Sequence, residues 1–111
     1  MSLSIYDHNY TAGAHEKLSP SSATVPTVIT ATIYQPTSGD FNGKSATMAL
    51  ITVETDQIRW TMDGTVPAAD VGHLSQVGDI IVLTTFYNIK NFRAVKVTNA
   101  AVLRVTTYFV K

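Results

Sequence analysis

The chain of 111 residues contains no cysteine. Disulfide scaffolds, cysteine-bound zinc and a thiol nucleophile are therefore excluded. Charge is sparse: 14% of the residues are Asp, Glu, Lys or Arg, and they sum to zero. Nucleic-acid binders usually carry a basic footprint, so no nucleic-acid partner is expected. Long apolar runs are missing too. A membrane-spanning helix needs about 18 such residues or more, so no membrane partner is expected either. The opening Met1-Ser2-Leu3-Ser4-Ile5-Tyr6-Asp7 has neither a basic n-region nor an apolar h-region, so no secretory signal is expected. The six glycines are scattered near turns and form no phosphate-cradling run. Leucine occurs only six times.

What the chain has in abundance is β-branched residues: 16 Thr, 12 Val and 8 Ile. These side chains lose rotamer freedom in helices and pack well on a pleated surface. Period-two alternation prevails, and no window keeps the i, i+3, i+4, i+7 spacing over helical length. The length is that of one domain with its own core. The fold class expected is all-β.

Residues 1–17 are polar and alternate poorly, and they read as an extended N-terminal arm. Residues 18–111 read as one domain. A short edge strand is expected over 18–24, where Pro20 argues against a central place. Residues 28–34 set Ile29, Ala31 and Ile33 against Thr30, Thr32 and Tyr34, a strand pattern. Residues 35–45, with Pro36, Gly39 and Asn42-Gly43, form a loop. Residues 46–55 are apolar on both faces, as in a central strand. Over 57–62, Ile58, Trp60 and Met62 share one face, and the Asp63-Gly64 turn follows. A short strand is expected near Gly72-His73-Leu74, and longer ones over 80–85, 92–98 and 102–110. Strands at this spacing suggest a sandwich or a barrel.

Zero net charge conceals an asymmetry. Residues 1–89 hold three basic groups against all eight acidic ones, a balance of −5. Residues 90–111 hold Lys90, Arg93, Lys96, Arg104 and Lys111 with no acid, a balance of +5. Two readings apply: cross-strand pairing of basic with acidic strands inside the fold, or a basic partner-binding surface made of these five residues.

Catalytic and metal chemistry find little support. Histidine is the usual general base, and the chain has only His8, His15 and His73. The first two fall in the expected arm, where nothing holds catalytic geometry. His73 belongs to a glycine-containing connection and reads as a turn or interface residue. Asp7-His8 and His15-Glu16 are zinc-ligand types, but they share no ligand spacing on a rigid element and read as free polar residues. Asp63, Asp70 and Asp79 do not match a calcium loop. Asn9-Tyr10-Thr11 satisfies a glycosylation sequon that carries no weight without a secretory signal. Trp60 reads as a core residue rather than a sugar-stacking platform, because Ile58 and Met62 share its face. No enzyme activity, cofactor or metal is expected.

One resemblance adds to this reading. The segments Ala49-Leu50-Ile51-Thr52-Val53-Glu54, Ile58-Arg59-Trp60-Thr61-Met62-Asp63-Gly64-Thr65-Val66-Pro67, Val71-Gly72-His73-Leu74 and Gly78-Asp79 come first. Ile89-Lys90-Asn91-Phe92-Arg93-Ala94-Val95-Lys96-Val97 and Leu103-Arg104-Val105-Thr106-Thr107-Tyr108-Phe109 follow in order. Together they resemble a group of small tailed-bacteriophage virion proteins. The departures are Leu74 directly after His73 and an extra Thr in the terminal strand. A second, nine-residue likeness is carried by Arg59 to Pro67. It is similar to the Y-T-x-D-G-S/T-x-P turn of immunoglobulin-like modules appended to chitin-active enzymes.

The first resemblance implies an antiparallel β-sandwich of Greek-key or jelly-roll type. It also implies a non-enzymatic role as a capsid decoration or cement protein in the virion, assembled in the host cytoplasm. A neck or tail component is the alternative, and an immunoglobulin-like carbohydrate-binding module is a further one. The partners implied are copies of the chain itself and the major capsid protein or other virion proteins. Lys90, Arg93, Lys96, Arg104 and Lys111 are the residues expected to meet them.

Overall fold

The computed structural model describes residues 10–110. Seven strands run in chain order: β1 (Tyr10–Leu18), β2 (Met48–Glu54), β3 (Ile58–Thr61), β4 (His73–Ser75), β5 (Ile80–Leu83), β6 (Arg93–Lys96) and β7 (Val102–Val110). Two short helices, α1 (Ala31–Tyr34) and α2 (Phe86–Lys90), interrupt them. The strands form a four-stranded sheet of order β1-β7-β2-β5 and a three-stranded sheet of order β4-β3-β6. Every pairing is antiparallel.

Alternation along β7 shows how sequence makes this frame. Leu103, Val105, Thr107 and Phe109 are buried, while the residues between them are half-buried or exposed. Strand β2 repeats the pattern with Ala49, Ile51 and Val53, and β5 with Ile81 and Leu83. Ile58 from β3 and Ala94 from β6 join the same buried cluster, together with Ile89 of α2 and Phe92. Both sheets thus turn side chains into one core, the arrangement that hides an apolar face from water.

Three stretches differ from the sequence expectation. Residues 10–17, expected as part of a polar arm, belong to β1, which pairs with β7 from Tyr10↔Val110 to Leu18↔Leu103. Only Leu18 of this strand is fully buried. Its order comes from backbone pairing with β7, which leaves no apolar period to read. The remainder of the expected arm, with Asp7, His8 and Asn9, lies outside the described residues, as does Lys111.

Residues 28–34, expected as a strand, instead hold the single helical turn α1. Ile29 and Tyr34 are buried and Ile33 packs against the core. Ile29 and Ile33 are four residues apart, a spacing that suits a turn of helix as well as one face of a strand. The nearby Pro26 and Pro36 offer no N–H to a ladder. Residues 19–24, expected with Leu18 as a short edge strand, are not a strand either. They lie beside β6 through isolated bonds, with Lys96 N–H donating to Ser22 O and Thr27 exchanging bonds with Ala94.

Helix α2 occupies a stretch with no assigned element in the sequence. Thr85 caps it, its hydroxyl oxygen accepting the Asn88 N–H at 3.1 Å. The cap satisfies an otherwise orphaned donor, and Asn88 in turn donates its side-chain N–H to Met62 O.

Thr107 is the one fully inaccessible polar side chain of β7. Its Oγ1 lies 2.7 Å from Ile33 O and 3.4 Å from Ala14 O, joining α1 to the sheet. Thr107→Val keeps the shape and removes the donor to Ile33. A buried acceptor left unpaired costs about 1–3 kcal/mol. Urea unfolding of T107V is expected to show that loss with an unchanged m-value, and wild-type stability would refute the role.

Candidate functional site

The structure divides the basic residues singled out in the sequence. Arg93 and Lys90 come together at the end of α2 and the start of β6, where the Arg93 guanidinium donates to Lys90 O at 3.2 Å and Phe92 O at 3.0 Å. Lys96 closes the same strand, three residues on and therefore on its opposite face. Arg104 belongs to the other sheet, in β7. There its Nε lies 3.4 Å from Glu54 Oε1, across the Thr52↔Arg104 and Glu54↔Val102 register. The four of them among the described residues are thus spread over both sheets and the end of α2. The charge asymmetry is met in part by cross-strand pairing: Arg104–Glu54 is the sole ion pair among the described residues. Both partners are about half exposed, so the pair is worth well under about 1 kcal/mol.

Three hollows stand out among the described residues. The largest, about 470 Å³, lies between the β1 segment around Gly13 and the loop of Pro36 to Phe41. It is walled mainly by small and hydroxyl-bearing residues, with Asp40 as its one charged group. A second, about 190 Å³, sets Arg59 and Lys96 beside Val95, Val97, Ala68 and Ala69. Sequence reasoning missed Arg59 as a neighbour of Lys96. Both residues line this hollow, although the register of β3 on β6, Arg59↔Val95 and Ile58↔Lys96, sets their side chains on opposite faces of the sheet.

The third hollow, about 340 Å³, contains His73 with Thr61, Asp63, Thr65 and Asn88. Its polar groups are occupied with holding the turn after β3. The Asp63 carboxylate accepts the Thr65 N–H at 3.0 Å. That backbone bond, with the Thr65 side chain second, holds the Asp63 carboxyl below the usual carboxylate range. The Thr61 hydroxyl donates to Thr65 O. His73 itself packs against Trp60, with ring centroids 4.9 Å apart and the rings tilted by 40°. This arrangement stiffens a turn and provides no base aimed at a nucleophile.

Trp60 is half-buried rather than fully enclosed, and Met62 is exposed, so the face expected to be core is so only at Ile58 and, in part, at Trp60. The indole meets Phe92 as well as His73, and its Nε1–H donates to Ser75 Oγ at 2.9 Å. Tying a half-buried indole to its own sheet fits a packing role for this ring. Among the zinc-ligand types considered in the sequence, His15 and Glu16 are adjacent in β1 and face opposite sides. The Glu16 carboxylate accepts the Thr30 N–H at 2.8 Å. Among the described residues no group of three His, Asp or Glu side chains is placed to hold a metal ion.

Compared with known proteins, the chain matches no family model, no curated protein and no solved structure.

Proposed function

We propose that this chain is a non-enzymatic structural component of a tailed-phage virion, acting as a capsid decoration or cement protein. In this reading the two sheets are the halves of a β-sandwich of Greek-key or jelly-roll type. The observation that carries it is where the resembling segments fall. Ala49 to Glu54 lies within β2, Ile58 to Pro67 covers β3 and its turn, and Leu103 to Phe109 lies within β7. Ile89 to Val97 takes in the end of α2 and all of β6. The likeness therefore takes in the strands that build the core, and with them Arg59 and Lys96 of the second hollow and Thr61, Asp63, Thr65 and His73 of the third. So large a share of framework suits a protein whose task is its shape. A neck or tail component uses the same framework, and position on the particle separates the two.

The partners in this reading are copies of the chain and the major capsid protein or its neighbours. Lys90 and Arg93, which lie together, are the basic pair offered to an acidic partner. Arg104 already faces Glu54, so it contributes less. Reversing Lys90 and Arg93 to Glu is expected to reduce occupancy on purified particles several-fold and to flatten its salt dependence, since rim charges act through screened attraction. Arg104→Glu is expected to do less. Unchanged occupancy of the double reversal would remove the basic pair from the interface. A cryo-EM map of the intact particle tests the function itself: density for this chain on the capsid supports decoration, and density confined to the tail overturns it.

A further inference from the structure

We propose that β5 is the edge through which two copies of this chain pair, antiparallel and across a two-fold axis. The joint would merge two four-stranded sheets into one sheet of eight strands. It rests on the state of the two sheet edges and holds independently of the virion reading.

The sheet ends in β1 on one side and β5 on the other. Soluble proteins shield such edges with charge, bulges or proline, because unpaired backbone groups invite another strand. Edge β1 is shielded in this way: its register breaks between Ala12 and Ala14, and His15, Glu16 and Lys17 follow. Edge β5 has a bulge only at its very start, where the Gly78 N–H and the Asp79 C=O both meet Val53, and none of these devices along Ile80 to Leu83. Its four residues are Ile80-Ile81-Val82-Leu83, its register with β2 is unbroken, and no charged residue occurs between Asp79 and Lys90. Ile80 is 61% exposed and Val82 50%. Val77 and Tyr87, which flank the strand in sequence, are also among the most exposed apolar side chains.

The backbone is aimed to match. Val53 N–H donates to Asp79 O, so residue 79 faces β2. Alternation then turns Ile81 and Leu83 toward β2 as well. The N–H and C=O groups of Ile80 and Val82 point away from the sheet, into the open edge. These two residues thus present free backbone on one side and exposed apolar side chains on the outer face.

A second copy fits this edge better than an unrelated strand would. A two-fold axis sets each group opposite its own kind, which a charged edge resists and an uncharged one accepts. Opposed residues in an antiparallel pair share a face. With Ile81 on the axis, Ile80 stands opposite Val82 of the second copy, and the reverse holds on the other side of the axis. Each of these two pairs exchanges two backbone hydrogen bonds. The outer row then runs on from Leu50 and Thr52, the β2 partners of Val82 and Ile80, without meeting a charge at the joint.

The test is sedimentation velocity on the purified full chain, from low to several hundred micromolar. The wild type is expected to dimerise. Val82→Lys and, separately, Ile80→Glu are each expected to weaken dimerisation at least tenfold, with far-UV circular dichroism unchanged because both positions are exposed. Mixing V82K with I80E is expected to restore a heterodimer, since the register sets residue 80 against residue 82. A wild type that stays monomeric throughout, or single variants that dimerise as well as it does, would overturn the pairing while leaving the virion reading intact. A mixture that remains monomeric would overturn the two-fold register. Should either variant misfold, the other still reads out the loss of dimer.

Discussion

Truncation of Phe109 to alanine is expected to cost about 3–5 kcal/mol, as large aromatic deletions from a packed core do. That is a large share of the about 5–15 kcal/mol that holds a typical domain folded. Phe109 is fully buried in β7 and stacks on Phe41 at 4.7 Å with the rings 16° from parallel. The third member of the group is Gly13, at the break in β1. A Cβ built there would lie 2.4 Å from Phe109 Cδ1, 2.5 Å from Cε1 and 3.0 Å from Phe41 Cδ2. The ring has Phe41 stacked against it and little room to retreat. Gly13→Ala should therefore destabilise as an overpacked core does, by about 1–3 kcal/mol. Thermal unfolding of G13A, F109L and the double variant separates the contact from its surroundings. The narrower, flexible leucine should make room for the new methyl group, giving a coupling of about 1 kcal/mol or more. Strictly additive effects would show that Gly13 is needed for the backbone of the break alone. A wild-type midpoint for F109A would remove the whole cluster from the account.

That cluster also shows where sequence stops being legible. The alternation of Phe109 with Val105 and Leu103 marks β7 unmistakably, and β2, β3 and β5 are equally visible. Strand β1 is not, because a polar edge strand carries its order in bonds to a neighbour 93 residues away, as Thr107 and Ala14 illustrate. Residues 28–34 misled for the opposite reason. Their β-branched alternation is real, but Ile29 and Ile33 reach the core equally well from a helical turn, and tertiary context chose the turn. Which charges are neighbours is no more legible, because sheet order decides where charges go. Arg93 and Arg104 are eleven residues apart in sequence and lie in different sheets. The same holds for β5. Its apolar run identifies a strand, whereas only the order β1-β7-β2-β5 reveals that this strand is an edge.

Gly72→Ala is expected to cost about 2–4 kcal/mol, the sum of backbone strain and a steric clash. Gly72 has φ +103°, a region that L side chains rarely adopt. An added Cβ would lie 2.5 Å from Trp60 O and 3.1 Å from Thr61 Cγ2. The first of these is main chain of β3, held between β4 and β6, so it has little freedom to yield. Relief must come from β4, which begins at the next residue and pairs His73 with Trp60. Trp60 is the only tryptophan in the chain, bonded to Ser75 of β4 and packed against His73. Its emission therefore reports on that strand directly. Gly72→Ala should shift the emission to the red and lower the unfolding midpoint together. Gly78→Ala supplies the control: φ there is +96°, and a Cβ meets nothing within 4 Å. Strain without the clash should cost only about 1–2 kcal/mol, with the Trp60 emission unmoved. Equal losses for the two variants would mean that positive φ alone dictates glycine at both turns. A larger loss for G72A, accompanied by the spectral shift, assigns the difference to the seat of β4 against Trp60.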